Sequence, residues 1–286
     1  MSVRSTYGRR GVADRPDKSL RYVTEFALPK LLLLIHGFAN DEPKASESYG
    51  RFVANLRDAV ARLGSEMDWP VVAFHWPGDY PEHALISAMT YPARIPVAAD
   101  SGRLLADFLH DHEYMKETNQ VFVVAHSLGC RVALELLHDI DSRWSYGGPR
   151  IAGLALLAAA VSSEDCKPDG VFKEVQGHAA GVAFYSRNDK ALIGPVFGAG
   201  QQIFGERGKA VGRFGTPDER WKPSIEMTLQ HKQYWGEPLI AKHVAAILGF
   251  GDFPLPENTL AEDVLDSRDD SEPRELAARE IGSTRS

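Results

Sequence analysis

Cysteine is almost missing from this chain: Cys130 and Cys166 are the only two among 286 residues. Two thiols cannot build a disulfide framework, so stability has to come from apolar packing, and a reducing, cytoplasmic setting is expected. No apolar run approaches the roughly 18 residues that cross a bilayer. The basic residues 1–21 carry no apolar stretch, so no secretory signal is expected. A basic excess is also lacking. Lys and Arg number 32 against 39 Asp and Glu, for a net charge of −7, which argues against nucleic acid or an anionic membrane as the main partner. Metal-ligand spacing is absent as well. His110-Asp-His112-Glu113 puts its histidines two apart, on different sides of a helix. Gly198-Ala-Gly200 hints at a dinucleotide loop, but Ile203 stands where the third glycine belongs. No metal and no organic cofactor are expected.

What is present is a soluble globular composition, 44% hydrophobic and 25% charged, in a chain long enough for one large core. Short apolar, β-branched runs alternate with helix-periodic segments. Residues 31–35, 71–75, 121–125, 151–157 and 181–186 read as strands, and 224–230 as an alternating final strand. Residues 46–63, 97–110, 128–139 and 237–248 read as helices. Strand alternating with helix predicts an α/β fold with a mostly parallel central sheet flanked by helices on both faces. Polar residues 1–27 form a flexible lead-in on this reading. Residues 28–250 form the domain, and the acidic stretch 251–286 is a disordered tail. Residues 194–215 hold seven glycines and read as a mobile loop or partial lid that governs substrate size.

The segment Val121-Phe-Val-Val-Ala-His-Ser-Leu-Gly-Cys-Arg131 carries the chemistry. A strand meets a Ser flanked by small residues, Ala125 and Gly129, and a helix follows at once. That is the sequence form of a nucleophile elbow, with Ala125 in the place usually held by glycine. Ser127 is the candidate nucleophile. The backbone N–H of Leu128 would point at a developing oxyanion beside a helix N-terminus. Cys130, one turn on, reads as a small core residue.

A serine needs a base, and the base an orienting acid, in chain order Ser, acid, His. His36, His75, His83, His110, His112, His126 and His138 come before Ser127, beside it or too soon after it. Asp189 and Asp165 both follow strand ends. Asp189 is favoured, because its turn is shorter and Asn188 suits a tight loop, and His178 precedes it. The base is then His231, on a loop after the last strand, or His243, inside the final helix. His231 is favoured, since a loop residue can swing over the nucleophile. His36-Gly-Phe-Ala-Asn40 follows the first core strand, and the N–H of Phe38 is the second oxyanion donor on this reading. His36 would brace that loop. Trp144, Trp221 and Trp235 are candidates for pocket walls or for core.

Together these motifs resemble the α/β-hydrolase superfamily, and within it a bacterial-type branch of unknown function. The matching pieces are His36-Gly-Phe-Ala-Asn40, Trp76-Pro-Gly78, Ala125-His-Ser-Leu-Gly129, Tyr185-Ser-Arg-Asn-Asp189 and His231-Lys-Gln-Tyr234, within residues 31–248. Ala39 and the glycine-rich insertion depart from the pattern. The resemblance implies a Ser127–Asp189–His231 triad that cleaves a carboxylic ester of a small-molecule acyl substrate. Thioester or amide cleavage on the same triad is the nearer alternative. A non-catalytic ligand-binding protein on the same scaffold is the more distant one. Acyl chain, alcohol and oligomeric state are not legible in the residues.

Overall fold

The computed structural model describes residues 29–78, 84–111, 118, 120–143, 149–173, 180–193, 209–217 and 223–251. The expected lead-in and tail, most of the glycine-rich segment, and His178, Trp144 and Trp221 lie outside them.

Six strands form one sheet: β1 (Lys30–Ile35), β2 (Val71–Phe74), β3 (Gln120–His126), β4 (Arg150–Leu157), β5 (Ala180–Tyr185) and β6 (Ser224–Glu226). Their order is β2-β1-β3-β4-β5-β6, and every pairing is parallel. A parallel sheet is covered on both faces, so its strands can be apolar at every position. In β1, Leu31, Leu33 and Ile35 join the core on one face, and Leu32 and Leu34 join the core on the other. The first core includes residues of α2 (Ala84–Asp111) and α3 (Gly129–Arg143). The second includes residues of α1 (Glu42–Arg62) and α5 (Pro238–Ile247). Each fully buried Leu or Phe on these faces contributes about 1.5–3 kcal/mol.

This topology dictates where a site can form. The chain leaves β1 into α1 on one face, and leaves β3 into α3 on the other, yet β1 and β3 are neighbours. A crevice opens between the two diverging connections, at the carboxyl ends of the strands. Two glycines close it to backbone thickness. A Cβ on Gly129 would sit 2.3 Å from the His36 carbonyl oxygen, and one on Gly37 would sit 2.8 Å from Ser127 Cβ.

Three elements depart from the sequence reading, each for a physical reason. Helix α1 begins four residues earlier than residue 46, because the Asp41 side chain accepts from the Lys44 N–H at 2.9 Å and Pro43 lies in the first turn. Helix α2 runs back to Ala84 straight through Pro92 and Pro96, although each proline removes a ladder bond. Tyr91, Ile95 and Ala98 are buried there, and tertiary packing outweighs that local cost. The final strand is three residues long instead of seven. Its partner β5 ends at Tyr185, which leaves the later residues little to pair with. The glycine-rich segment also proves structured at its end. Val211–Phe214 is a helical turn, here α4, and a Cβ on its Gly212 would meet the backbone of Ala158 at 2.1 Å.

Helices α2 and α3 pack at backbone range through Gly102, where a Cβ would lie 2.5 Å from the Val132 carbonyl oxygen. Two effects oppose each other at that position. Alanine gains about 1 kcal/mol of helix propensity, while overpacking costs about 1–3 kcal/mol. With backbone as the obstacle, the steric term should win. Gly102→Ala is expected to lower stability by about 1–2 kcal/mol, read as a lower urea midpoint at unchanged m-value. An unchanged or higher midpoint would mean that the helices can part at no cost.

Candidate active site

Ser127 follows the last residue of β3 and adopts φ 54°, a left-handed conformation that non-glycine residues seldom take. Hydrogen bonds on both sides hold it there. The Ser127 N–H donates to the Leu157 carbonyl at 2.9 Å. Its own carbonyl accepts from Ala160 N–H at 3.1 Å and Cys130 N–H at 3.0 Å. Strand β4 and its exit thus brace the turn from one flank. Gly37 and the loop after β1 close it from the other.

Asp189 is fully buried just beyond β5. One carboxylate oxygen accepts from the Ala191 N–H at 3.0 Å, and the Arg213 guanidinium donates to the Asp189 carbonyl at 2.7 Å. The turn α4 that carries Arg213 is itself pinned to strand ends. Gly212 N–H donates to Ala159, and Ser186 N–H donates to Gly212. His231 arrives on the loop after β6. Its Nδ1–H donates to the second Asp189 oxygen at 2.7 Å, which leaves Nε2 to accept from Ser127 Oγ–H at 2.8 Å. Three residues from three separate connections therefore form one hydrogen-bonded line.

The rivals sit elsewhere. Asp165 pairs with Arg131 at 3.2 Å, and Arg131 in turn holds the buried Glu135 at 3.1 Å. Burial is the main cause that raises the Asp165 carboxyl above its usual range, with Arg131 opposing it. His243 is buried inside α5, 5.6 Å from the Phe184 ring. The Cys130 thiol is buried and donates to the Ala125 carbonyl at 3.2 Å, and burial pushes its pKa well up, away from thiolate chemistry. Trp235 is core, edge-on to Tyr49 and Phe52.

The loop after β1 is braced as His36 suggests. Nδ1–H of His36 donates to the Gly37 carbonyl at 2.9 Å, and its Nε2 accepts from the Trp76 N–H at 3.3 Å. The Trp76 indole N–H donates to the His36 carbonyl at 2.7 Å, and the two rings stack. Asn40 donates to the carbonyls of Gly37 and Phe38 at 3.3 and 3.2 Å. Among the described residues, neither Phe38 N–H nor Leu128 N–H donates to another backbone carbonyl. No group of acidic, His or Cys side chains among the described residues could hold a metal ion. No helix there is long and apolar enough to cross a membrane.

Sequence reasoning overlooked one residue. His126 is buried, and its Nε2–H donates to the His231 carbonyl at 2.7 Å, with the two rings 4.9 Å apart. Burial, and next the neighbouring His231, push its pKa down to about 3, so the ring is neutral at ordinary pH. The available signal was parity. Phe122 and Val124 point to the face where α5 packs, so His126 does too.

The pattern of the alpha/beta hydrolase family matches residues 32–282. Among solved structures, the product of gene lin2722 from Listeria innocua is 13% identical over 80% of this chain and 96% of its own, with a TM-score of 0.48. For the metagenome-derived lipolytic enzymes LipS and LipT the identity is 13%, over 78% and 94%, with a TM-score of 0.40. Carboxylesterase CesB from Bacillus subtilis is 11% identical over 78% and 85%, with a TM-score of 0.38. No curated protein matches the chain.

The buried, neutral His126 ties stability to pH. Its folded pKa of about 3 lies below the unfolded histidine value near 6.5. The unfolded chain therefore takes up a proton in that window that the folded one refuses, and stability falls as pH drops from about 6.5 toward 3. His126→Gln lacks this proton. Between pH 6.5 and 4, wild type should lose stability faster than the variant, the difference in slope approaching about 1.4 kcal/mol per pH unit. Urea titrations at several pH values check this, and parallel lines would show that His126 titrates alike in both states.

Proposed function

The chain belongs to the alpha/beta hydrolase family, and from that premise we propose that it is a serine hydrolase cleaving a carboxylic ester through an acyl-enzyme intermediate. The observation that carries this reading is the continuous line from Ser127 Oγ through the His231 ring to Asp189, at 2.8 and 2.7 Å. A serine hydroxyl is a poor nucleophile until a base takes its proton during attack. In the proposed reaction His231 Nε2 takes that proton as Oγ bonds to the ester carbon. The tetrahedral oxyanion rests on the N–H groups of Phe38 and Leu128. His231 then returns the proton to the departing alcohol as the carbon–oxygen bond breaks. Water repeats the sequence on the acyl-enzyme, and the acid leaves. Asp189 holds the ring with Nδ1 protonated and stabilises the imidazolium. Esters come first because an alkoxide asks less help to leave than an amine does.

Ser127→Ala is expected to keep the fold and lose at least about 10³-fold in ester turnover. Fluorophosphonate should label wild type at Ser127 and leave the variant unlabelled. Labelling at another residue, or turnover retained in the alanine variant, would move the nucleophile. No labelling and no turnover in wild type would favour a binding protein on the hydrolase scaffold.

The acid is tested by a pair of variants assayed on the same ester. Asp189→Asn should lose most of the rate, while Asp165→Asn, which changes only the Arg131 cluster, should keep it. A reversed pattern would transfer the role to Asp165.

A further inference from the structure

The His231 loop is loosely tied for a segment that must hold a ring between two partners. Before it, the Met227 N–H donates to the Tyr185 carbonyl at 2.7 Å. After it, Tyr234 and Trp235 are buried, and Asn55 donates to the Gly236 carbonyl at 3.0 Å. Between these anchors the bonds are those of local turns: Gln230 and Gln233 bond to each other, and the Gly236 N–H donates to the Gln233 carbonyl at 3.0 Å. Among the described residues, the one hydrogen bond that ties the main chain of residues 228–233 to a part of the protein distant in sequence comes from His126. It lands on the carbonyl of His231 itself.

We propose that His126 is the positioning residue for His231: its Nε2–H, donating to the His231 carbonyl at 2.7 Å, sets where the His231 ring lies between Ser127 and Asp189. The inference rests on the serine-hydrolase reading for its effect on rate, though not for its effect on the ring. Its force comes from adjacency. His126 and Ser127 share one peptide plane, and that plane is rigid. Residue 127 meets the His231 ring at Nε2, and residue 126 meets the His231 main chain. The ring is thus referenced twice to the same unit of backbone, so the hydroxyl and the support of its acceptor shift together. Neutral His126 always has this one proton to donate. A carbonyl can only accept, which fixes the tautomer with Nδ1 bare. The low pKa also keeps His126 from competing for the serine proton or placing a second positive ring beside a charged His231.

Removing the donor leaves the part-buried His231 carbonyl without this partner and frees the loop to shift. Displacements of about 1 Å at a reacting pair cost on the order of 10²-fold in rate. The test uses three variants of the full chain. Phe keeps a ring without a donor. Asn places its amide nitrogen near Nδ1 and falls short of the carbonyl. Gln places its amide nitrogen near Nε2. With p-nitrophenyl acetate, His126→Phe and His126→Asn should lower kcat about 10–100-fold with KM within about twofold. His126→Gln should recover most of that loss. The proton between His231 Nδ1 and Asp189 should give a downfield proton NMR signal in wild type and in the Gln variant, broadened or lost in the other two. If the Phe variant does not fold, the Asn variant carries the comparison.

Wild-type kcat and an intact downfield signal in His126→Asn would overturn the positioning role while leaving the hydrolase reading standing. If wild type itself cleaves no ester, the hydrolase reading falls, and the signal alone decides the positioning. Loss in Asn with recovery in Gln supports it, and an unchanged signal in all variants overturns it.

Discussion

A serine at φ 54° costs about 1–3 kcal/mol of backbone strain, and the whole site depends on that cost being offset. The offset comes from strand β4. Leu157 accepts from the serine N–H, and Ala160 donates to the serine carbonyl, so the turn is tied on both sides of its own Cα. Among the described residues, two further non-glycine residues share the left-handed region, Ala39 after β1 and Ala158 after β4. All three lie beyond the carboxyl ends of the central strands β1, β3 and β4, in neighbouring positions of the sheet. There the backbone is bent most sharply to bring loops over the crevice. Gly37, Gly129 and Gly212 complete the arrangement, because each lies against backbone or Cβ atoms that a side chain would strike.

Charge is distributed to suit this. The one carboxylate of the hydrogen-bonded line, Asp189, is fully buried, yet it receives an amide N–H on one oxygen and an imidazole N–H on the other. A buried anion without such donors would be prohibitively costly. A second buried ionic cluster, Arg131 with Glu135 and Asp165, involves helix α3 and extends through Glu135 to Arg103 of α2 at 3.6 Å. The histidine pair of His126 and His231 divides its labour by environment: one ring is buried and held neutral, while the other keeps part of its surface open to solvent.

How much of this could be read from residue order follows from how local each signal is. The strands 31–35 and 121–125 announce themselves because parallel strands buried on both faces are apolar throughout. The Ala-His-Ser-Leu-Gly turn does so because its small flanking residues answer a contact fixed within one turn. Helix α2 misleads because a proline is a local stop sign, whereas the burial of Tyr91 and Ile95 that overrides it is tertiary. Strand β6 misleads because alternation continues to residue 230, while its length is set by where β5 ends. Asp189 and His231 were legible through chain order and loop position. His126 was not, since its partner lies 105 residues away and only strand parity hints at the meeting.

The line of hydrogen bonds also has a history within each molecule. Ser127 and the ring that accepts from it are 104 residues apart, with Asp189 in between. A ribosome adding about 5–20 residues per second makes the serine on the order of 10 s before the histidine. Through that interval the strand-turn-helix around Ser127 can assemble against β1, but the ring that accepts from its hydroxyl has yet to be made. Strand β4 and the Asp189 turn are laid down first, and the short edge strand β6 delivers the ring last. The hydrogen-bonded line is therefore completed in one late step, when the final loop docks beneath His126.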